Sequence, residues 1–188
     1  TVGTMTELSD HFKLLYPRAA RLHCRRCGAE VRRDHPDAIF DRLIAELPAG
    51  SRVVVCFPLT LPDNFSQTEV EGFLAAQGYT RIQERRGQVL QVVQDRTRLG
   101  PDNRDRLVEA LEQALHRGHG RLSVYPLDEQ RRAGSPLRFS SDLHCADCDI
   151  RYQDALPNLF SFNSPIGACE RCRGFGRITH FCLMPYAG

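Results

Sequence analysis

Three C-x-x-C pairs, Cys24/Cys27, Cys145/Cys148 and Cys169/Cys172, restrict what this chain can be more than any other feature in it. A C-x-x-C turn places two thiolates on one side of an ion, so each pair is half of a tetrahedral zinc site. Three halves leave one pair in need of a partner. Local spacing groups Cys145, Cys148, Cys169 and Cys172 as C-x2-C-x20-C-x2-C and strands Cys24/Cys27. The other arrangement joins Cys24/Cys27 to Cys145/Cys148 across the long intervening segment and leaves Cys169/Cys172 waiting for a further pair. In either case four thiolates close the coordination sphere and leave no place for water or substrate, so the ion is expected to be structural. Of the two remaining cysteines, Cys56 lies within the apolar run RVVVCF and reads as a small core residue, and Cys182, near His180, has no assigned role.

The rest of the composition is that of an ordinary globular protein, with 41% apolar residues over a length of 188. The formal charge of +2 is too small to argue for nucleic acid, because phosphate binding shows as a clustered excess. No apolar run approaches the roughly 20 residues that cross a bilayer, and no charged segment precedes a short hydrophobic one, so a cytoplasmic location without membrane contact is expected. That compartment favours zinc over disulfides for the cysteine pairs. The chain starts at Thr1 in the approach to a helix, which reads as a piece of a longer protein.

The expected fold class is α+β: a compact mixed α/β domain anchored on a zinc-knuckle segment and preceded by a helix. TVGTMTELSDHFKLLYP carries a Thr4/Glu7 capping box, places Phe12, Leu15 and Tyr16 on one face, and is expected to stop at Pro17. HPDAIFDRLIAEL sets Ile39, Leu43 and Leu47 in line beside Phe40 and Ile44, predicting a helix, and RVVVCF predicts a buried strand. SQTEVEGFLAAQG predicts a short helix with a glycine C-cap, GYTRIQERRGQVLQVVQDR a hairpin turning near Arg86-Gly87, DNRDRLVEALEQALHRGHG a third helix through Leu107, Leu111 and Leu115, and RLSVYPL a further strand. Residues 128–138 read as a polar connector. The expected segments are therefore 1–33, a helix and first knuckle; 34–127, the α/β domain; and 128–188, the remaining knuckles, with a core too poor to fold without an ion.

Four stretches carry a family resemblance: TVGTMTELSDHFKLLYPRAARLHCRRCG at the start, QGYTRI and VVQDR in the middle, and LFSFNSPIGACERCRGFG near the end. With these the chain resembles the UvrA family, the damage-recognition component of the bacterial excinuclease. The resemblance implies an internal piece of the first ATP-binding half, into which a domain that binds the partner protein UvrB is inserted. It implies that Cys169/Cys172 pair with a knuckle further downstream, which favours the set Cys24, Cys27, Cys145 and Cys148. It also picks out Arg81 in QGYTRI and Arg96 in VVQDR, with Asp95 beside it, as partner-binding residues. ATP, magnesium, DNA and a homodimeric assembly are expectations for the full-length relative alone, because nothing in this sequence reads as G-x-x-x-x-G-K-[ST] or as an LSGG-type stretch, and no catalytic residue is assigned. The hairpin Tyr79–Asp95 departs from the family pattern by lacking an intervening basic segment.

Two other classes compete. A free-standing zinc-ribbon nucleic-acid binder would use the basic residues around Cys24/Cys27 and Arg171/Arg173 as a phosphate track, and Phe160 and Phe162 could stack on bases, although they are expected to fill a small core. A dithiol oxidoreductase would place its C-x-x-C at the start of a helix in a thioredoxin-like βαβ context, whereas here Gly follows Cys27 and Gly174 lies two residues after Cys172.

Overall fold

The computed structural model describes residues 7–62 and 67–173. The chain divides into two units, one formed by residues 1–21 with 153–188 and the other by residues 22–152.

In the first unit, α1 (Leu8–Ala19) buries none of its residues. Of its capping box, Thr4 lies outside the described residues, and Glu7 occupies the N-cap with a left-handed backbone (φ 56°) and no side-chain cap. The helix does not stop at Pro17 but runs two residues past it. A proline forfeits only its own bond to the fourth residue back, and here the Ala20 N–H still closes on the Tyr16 carbonyl at 3.0 Å. Phe160, in a 3-10 turn over Pro157–Phe160, stacks on Tyr16 at 5.6 Å. Phe160 and Phe162 remain 42% and 49% exposed, so they do not fill a core.

The second unit is built on a five-stranded antiparallel sheet of order β4-β5-β3-β6-β7, formed by β3 (Arg52–Thr60), β4 (Ile82–Arg86), β5 (Val89–Arg98), β6 (Arg121–Leu127) and β7 (Leu137–Ser140). Two short antiparallel pairs, β1 (Leu22–His23) with β2 (Glu30–Val31) and β8 (His144–Cys145) with β9 (Ile150–Arg151), carry the first two cysteine knuckles. Among the described residues it also holds the α-helices α2 (Pro36–Glu46), α3 (Gln67–Ala76) and α4 (Arg104–Arg117). The expected connector 128–138 is shorter than predicted, because Leu137 and Arg138 already belong to β7, paired with Val124 and Ser123 of β6.

Strand alternation decides which face is which. Val53, Val55 and Phe57 of β3, with Leu90, Val92, Leu122 and Val124, join Ile39, Phe40 and Leu43 of α2 and Leu107, Leu111 and Leu115 of α4 in one core. The interleaved residues Val54, Cys56 and Tyr125 form a small separate cluster with Val93 and Leu127. Cys56 is fully buried there, and burial pushes its thiol up to about 12. The hairpin of β4 and β5 turns at Gly87, whose φ of 58° is a backbone state that glycine adopts without strain.

The chain enters and leaves the sheet unit at one place. Asp34 is buried; its N–H donates to the Ser140 carbonyl at 2.8 Å, and its carboxylate accepts the Ser140 N–H at 3.2 Å. Residues far apart in sequence are thereby clamped beside the cysteine knuckles.

Candidate metal centre and arginine groove

The two knuckles of this unit are built alike. Cys24 and Cys27 sit in the turn between β1 and β2, where the Gly28 N–H donates to the Cys24 carbonyl at 2.9 Å and Gly28 adopts a φ of 75°. Cys145 and Cys148 sit in the turn between β8 and β9, and the position matching Gly28 is Asp149, also left-handed at φ 54°. A non-glycine residue in that state costs energy, and Asp is among the few that tolerate it. Asp149 is further held by the buried His144, whose Nε2 lies 2.8 Å from its carboxylate, and by Arg121 at 3.0 Å.

The structure brings Cys24, Cys27, Cys145 and Cys148 together, with all four sulfurs within 4.8 Å of one another. It is the only such group of His, Cys, Asp or Glu among the described residues. Cys169 and Cys172 lie outside it, and His180 and Cys182 lie outside the described residues. Cys27 Sγ and Cys145 Sγ are 3.6 Å apart. That is far beyond a disulfide bond of about 2.05 Å and close to the roughly 3.8 Å edge of a tetrahedron with zinc–sulfur bonds of about 2.3 Å. The donor set therefore fits a zinc ion.

The surroundings favour thiolate at one corner. The Tyr152 hydroxyl and then the Cys27 and Arg26 amides stabilise the Cys24 thiolate and lower its pKa to about 5. Cys148 is pushed up to about 12, first by its hydrogen bond with Cys27 and then by burial. Four sulfurs this close cannot all be thiolates without a cation among them. Apolar shielding comes from Val31 with Leu22, Leu143 and Ile150.

The partner residues expected from the sequence fall elsewhere in the same unit. Arg81 and Arg96 both line one groove of ≈ 640 Å³, together with Gln83, Arg52, Arg98 and Arg131. The Arg96 guanidinium lies 3.4 Å from the Gln83 amide oxygen. Asp95 is engaged within the chain: its two carboxylate oxygens accept Arg106 Nε and a terminal guanidinium N–H at 2.9 and 2.8 Å, and one of them also takes the Arg96 N–H. The guanidinium of Arg106 is the main reason its carboxyl is held below the ordinary range. Arg52, Arg98 and Arg131 were not singled out by sequence; the alternation Arg96-Thr97-Arg98 at the end of a strand was the signal available for one of them.

No protein-family model matches the chain. Among curated proteins it is similar to UvrABC system protein A of Clostridium tetani (30% identical over 95% of this chain and 20% of the relative), of Streptomyces coelicolor (32%, over 94% and 19%) and of Mycobacterium tuberculosis (33%, over 94% and 20%). The chain spans about a fifth of the length of these relatives. Along nearly its whole length the chain is thus similar to a stretch of UvrABC system protein A.

Proposed function

We propose that the chain is the zinc-braced, partner-binding part of a UvrA-like ATPase of bacterial nucleotide excision repair, and that it recruits a UvrB-like protein. Residues 34–127 form the partner-contacting insert, 1–33 the helix and first knuckle from the ATP-binding half, and 128–188 the segment that returns to it. Cys24, Cys27, Cys145 and Cys148 hold a structural zinc ion at the foot of the insert. Cys169 and Cys172 hold a second ion with cysteines supplied from outside the chain. ATP with magnesium, DNA contact, homodimerisation and a cytoplasmic location belong to the complete protein. Among the described residues no helix is long and apolar enough to cross a membrane.

The observation that carries this reading is the meeting of Arg81 and Arg96 in one groove, neither of them in an ion pair with a carboxylate among the described residues. An arginine fork binds a carboxylate with two parallel hydrogen bonds, fixing orientation as well as adding energy. Asp95 acts indirectly, by holding Arg106 and the Arg96 backbone in place. The zinc ion supplies a rigid closed corner between the two chain segments at the foot of the sheet unit and takes no part in bond chemistry. The test is calorimetric titration of UvrB from the same organism into the chain at low salt. Arg81→Ala with Arg96→Ala is expected to abolish the heat signal with the melting temperature nearly unmoved, and unchanged affinity would refute the assignment.

A further inference from the structure

The groove continues well past Arg81 and Arg96. Strand register places Arg52 of β3 directly opposite Arg98 of β5, and Val54 opposite Arg96. By strand alternation Arg52, Arg96 and Arg98 therefore share one sheet face, and all three line the groove, which also takes in Asn103 and Arg106. Arg131 joins them from a turn in which its backbone is left-handed (φ 62°). Like charges directly opposite one another on neighbouring strands disfavour the fold. Among the described residues none of Arg52, Arg81, Arg96, Arg98 or Arg131 forms an ion pair with a carboxylate, whereas Arg106 at the same groove is fully engaged by Asp95. Asp128 and Glu129 line an adjoining groove with Arg52 and Arg98 but pair with neither, so a fold that tolerates an opposed arginine pair and a left-handed arginine leaves their guanidinium groups open to an anion from outside.

We infer that the groove receives an extended acidic segment of a protein partner, carboxylates on alternate residues, and that Arg52, Arg98 and Arg131 grip it alongside Arg81 and Arg96. This rests on the partner reading above and adds three arginines and the shape of what they bind. Arg96 and Arg98 stand two residues apart on one strand face, a repeat of about 6.8 Å, and an extended peptide presents alternate side chains at the same repeat. Each guanidinium matches one carboxylate. A nucleic-acid strand fits less well. No aromatic ring lines the groove, so stacking platforms are missing, and a net charge of +2 gives the chain no large overall basic excess.

The experiment uses the 188-residue chain and two fluorescein-labelled probes, a twelve-residue peptide of alternating Glu and Ser and a twelve-nucleotide oligothymidylate, with fluorescence anisotropy as the readout. UvrB binding is measured in parallel. The variant Arg52→Gln with Arg98→Gln is expected to weaken the peptide and UvrB by about tenfold or more each, with no fall in melting temperature because an opposed like-charge pair is removed. Unchanged affinity for both in that variant, while Arg81→Ala with Arg96→Ala still abolishes UvrB binding, overturns the inference and leaves the partner reading standing. UvrB binding indifferent to both double variants removes the partner reading and with it the partner named here. Oligothymidylate binding tighter than the peptide and lost in the Arg52/Arg98 variant assigns the groove to nucleic acid and overturns the inference.

Discussion

Cys24→Ser is expected to loosen the foot of the sheet unit while leaving the sheet folded. The knuckles are strand pairs of two residues each, and around the sulfurs Val31 is the only buried aliphatic side chain among the described residues. Burying one such side chain contributes about 1.5–3 kcal/mol. A structural zinc in a small module contributes about 10–16 kcal/mol at neutral pH. The ion therefore decides whether the knuckles are ordered, and three thiolates hold it far less well than four. The sheet has its own large core on α2 and α4 and no metal ligand within it. Native mass spectrometry should find zinc on the wild-type chain and a clear deficit on the variant. Hydrogen exchange should then lose protection over 22–31 and 144–151 and keep it in β3, β5 and β6. If β3 lost its protection together with the knuckles, in one cooperative step, the independence of the sheet unit would be disproved.

Three further outcomes follow from the same geometry. Asp34→Ala should lower unfolding free energy by about 1–3 kcal/mol, because the buried Ser140 N–H that Asp34 accepts is left without its side-chain partner; urea denaturation measures it, and a change below a few tenths would contradict the clamp. Arg131→Gly should relieve about 1 kcal/mol of left-handed strain, largely offset by glycine's extra backbone freedom when unfolded, so its melting temperature should hold or rise while affinity for the acidic peptide falls; a clear loss of stability would show that Arg131 is structural. Asp95 has a folded pKa depressed chiefly by Arg106, so its contribution is present above the unfolded value near 3.9 and is lost as pH falls through the folded value. The stability gap between wild type and Asp95→Asn should accordingly be open at pH 6 and close in strong acid, and a gap that widened on acidification would reverse the sign.

Much of the sheet unit is legible in the sequence because its signals are periodic. Ile39, Phe40 and Leu43, and Leu107, Leu111 and Leu115, mark the buried faces of α2 and α4, and RVVVCF is the unbroken apolar run of a central strand. The β4–β5 turn follows from Gly87. β7 escapes such reading because LRFS is four residues long, lies at the sheet edge and follows a proline, so no period has room to appear. Pro17 misleads because a proline in the last turn of a helix removes one bond that the chain can spare. The sharing of sulfurs is not written in spacing: C-x-x-C fixes half a site, and only the return of the chain at Asp34 and Ser140 brings Cys24/Cys27 to Cys145/Cys148. The arginine groove is hidden for the same reason, since Arg52 and Arg98 become neighbours only through strand register.

The proposed recruitment of UvrB through carboxylate-binding arginines stands or falls on titrating UvrB into wild type and into Arg81→Ala with Arg96→Ala, at two salt concentrations. Wild type should bind measurably and more weakly as salt rises, because exposed charge pairs are screened, and the variant should not bind at either concentration. Binding of equal strength by both proteins, insensitive to salt, would contradict it.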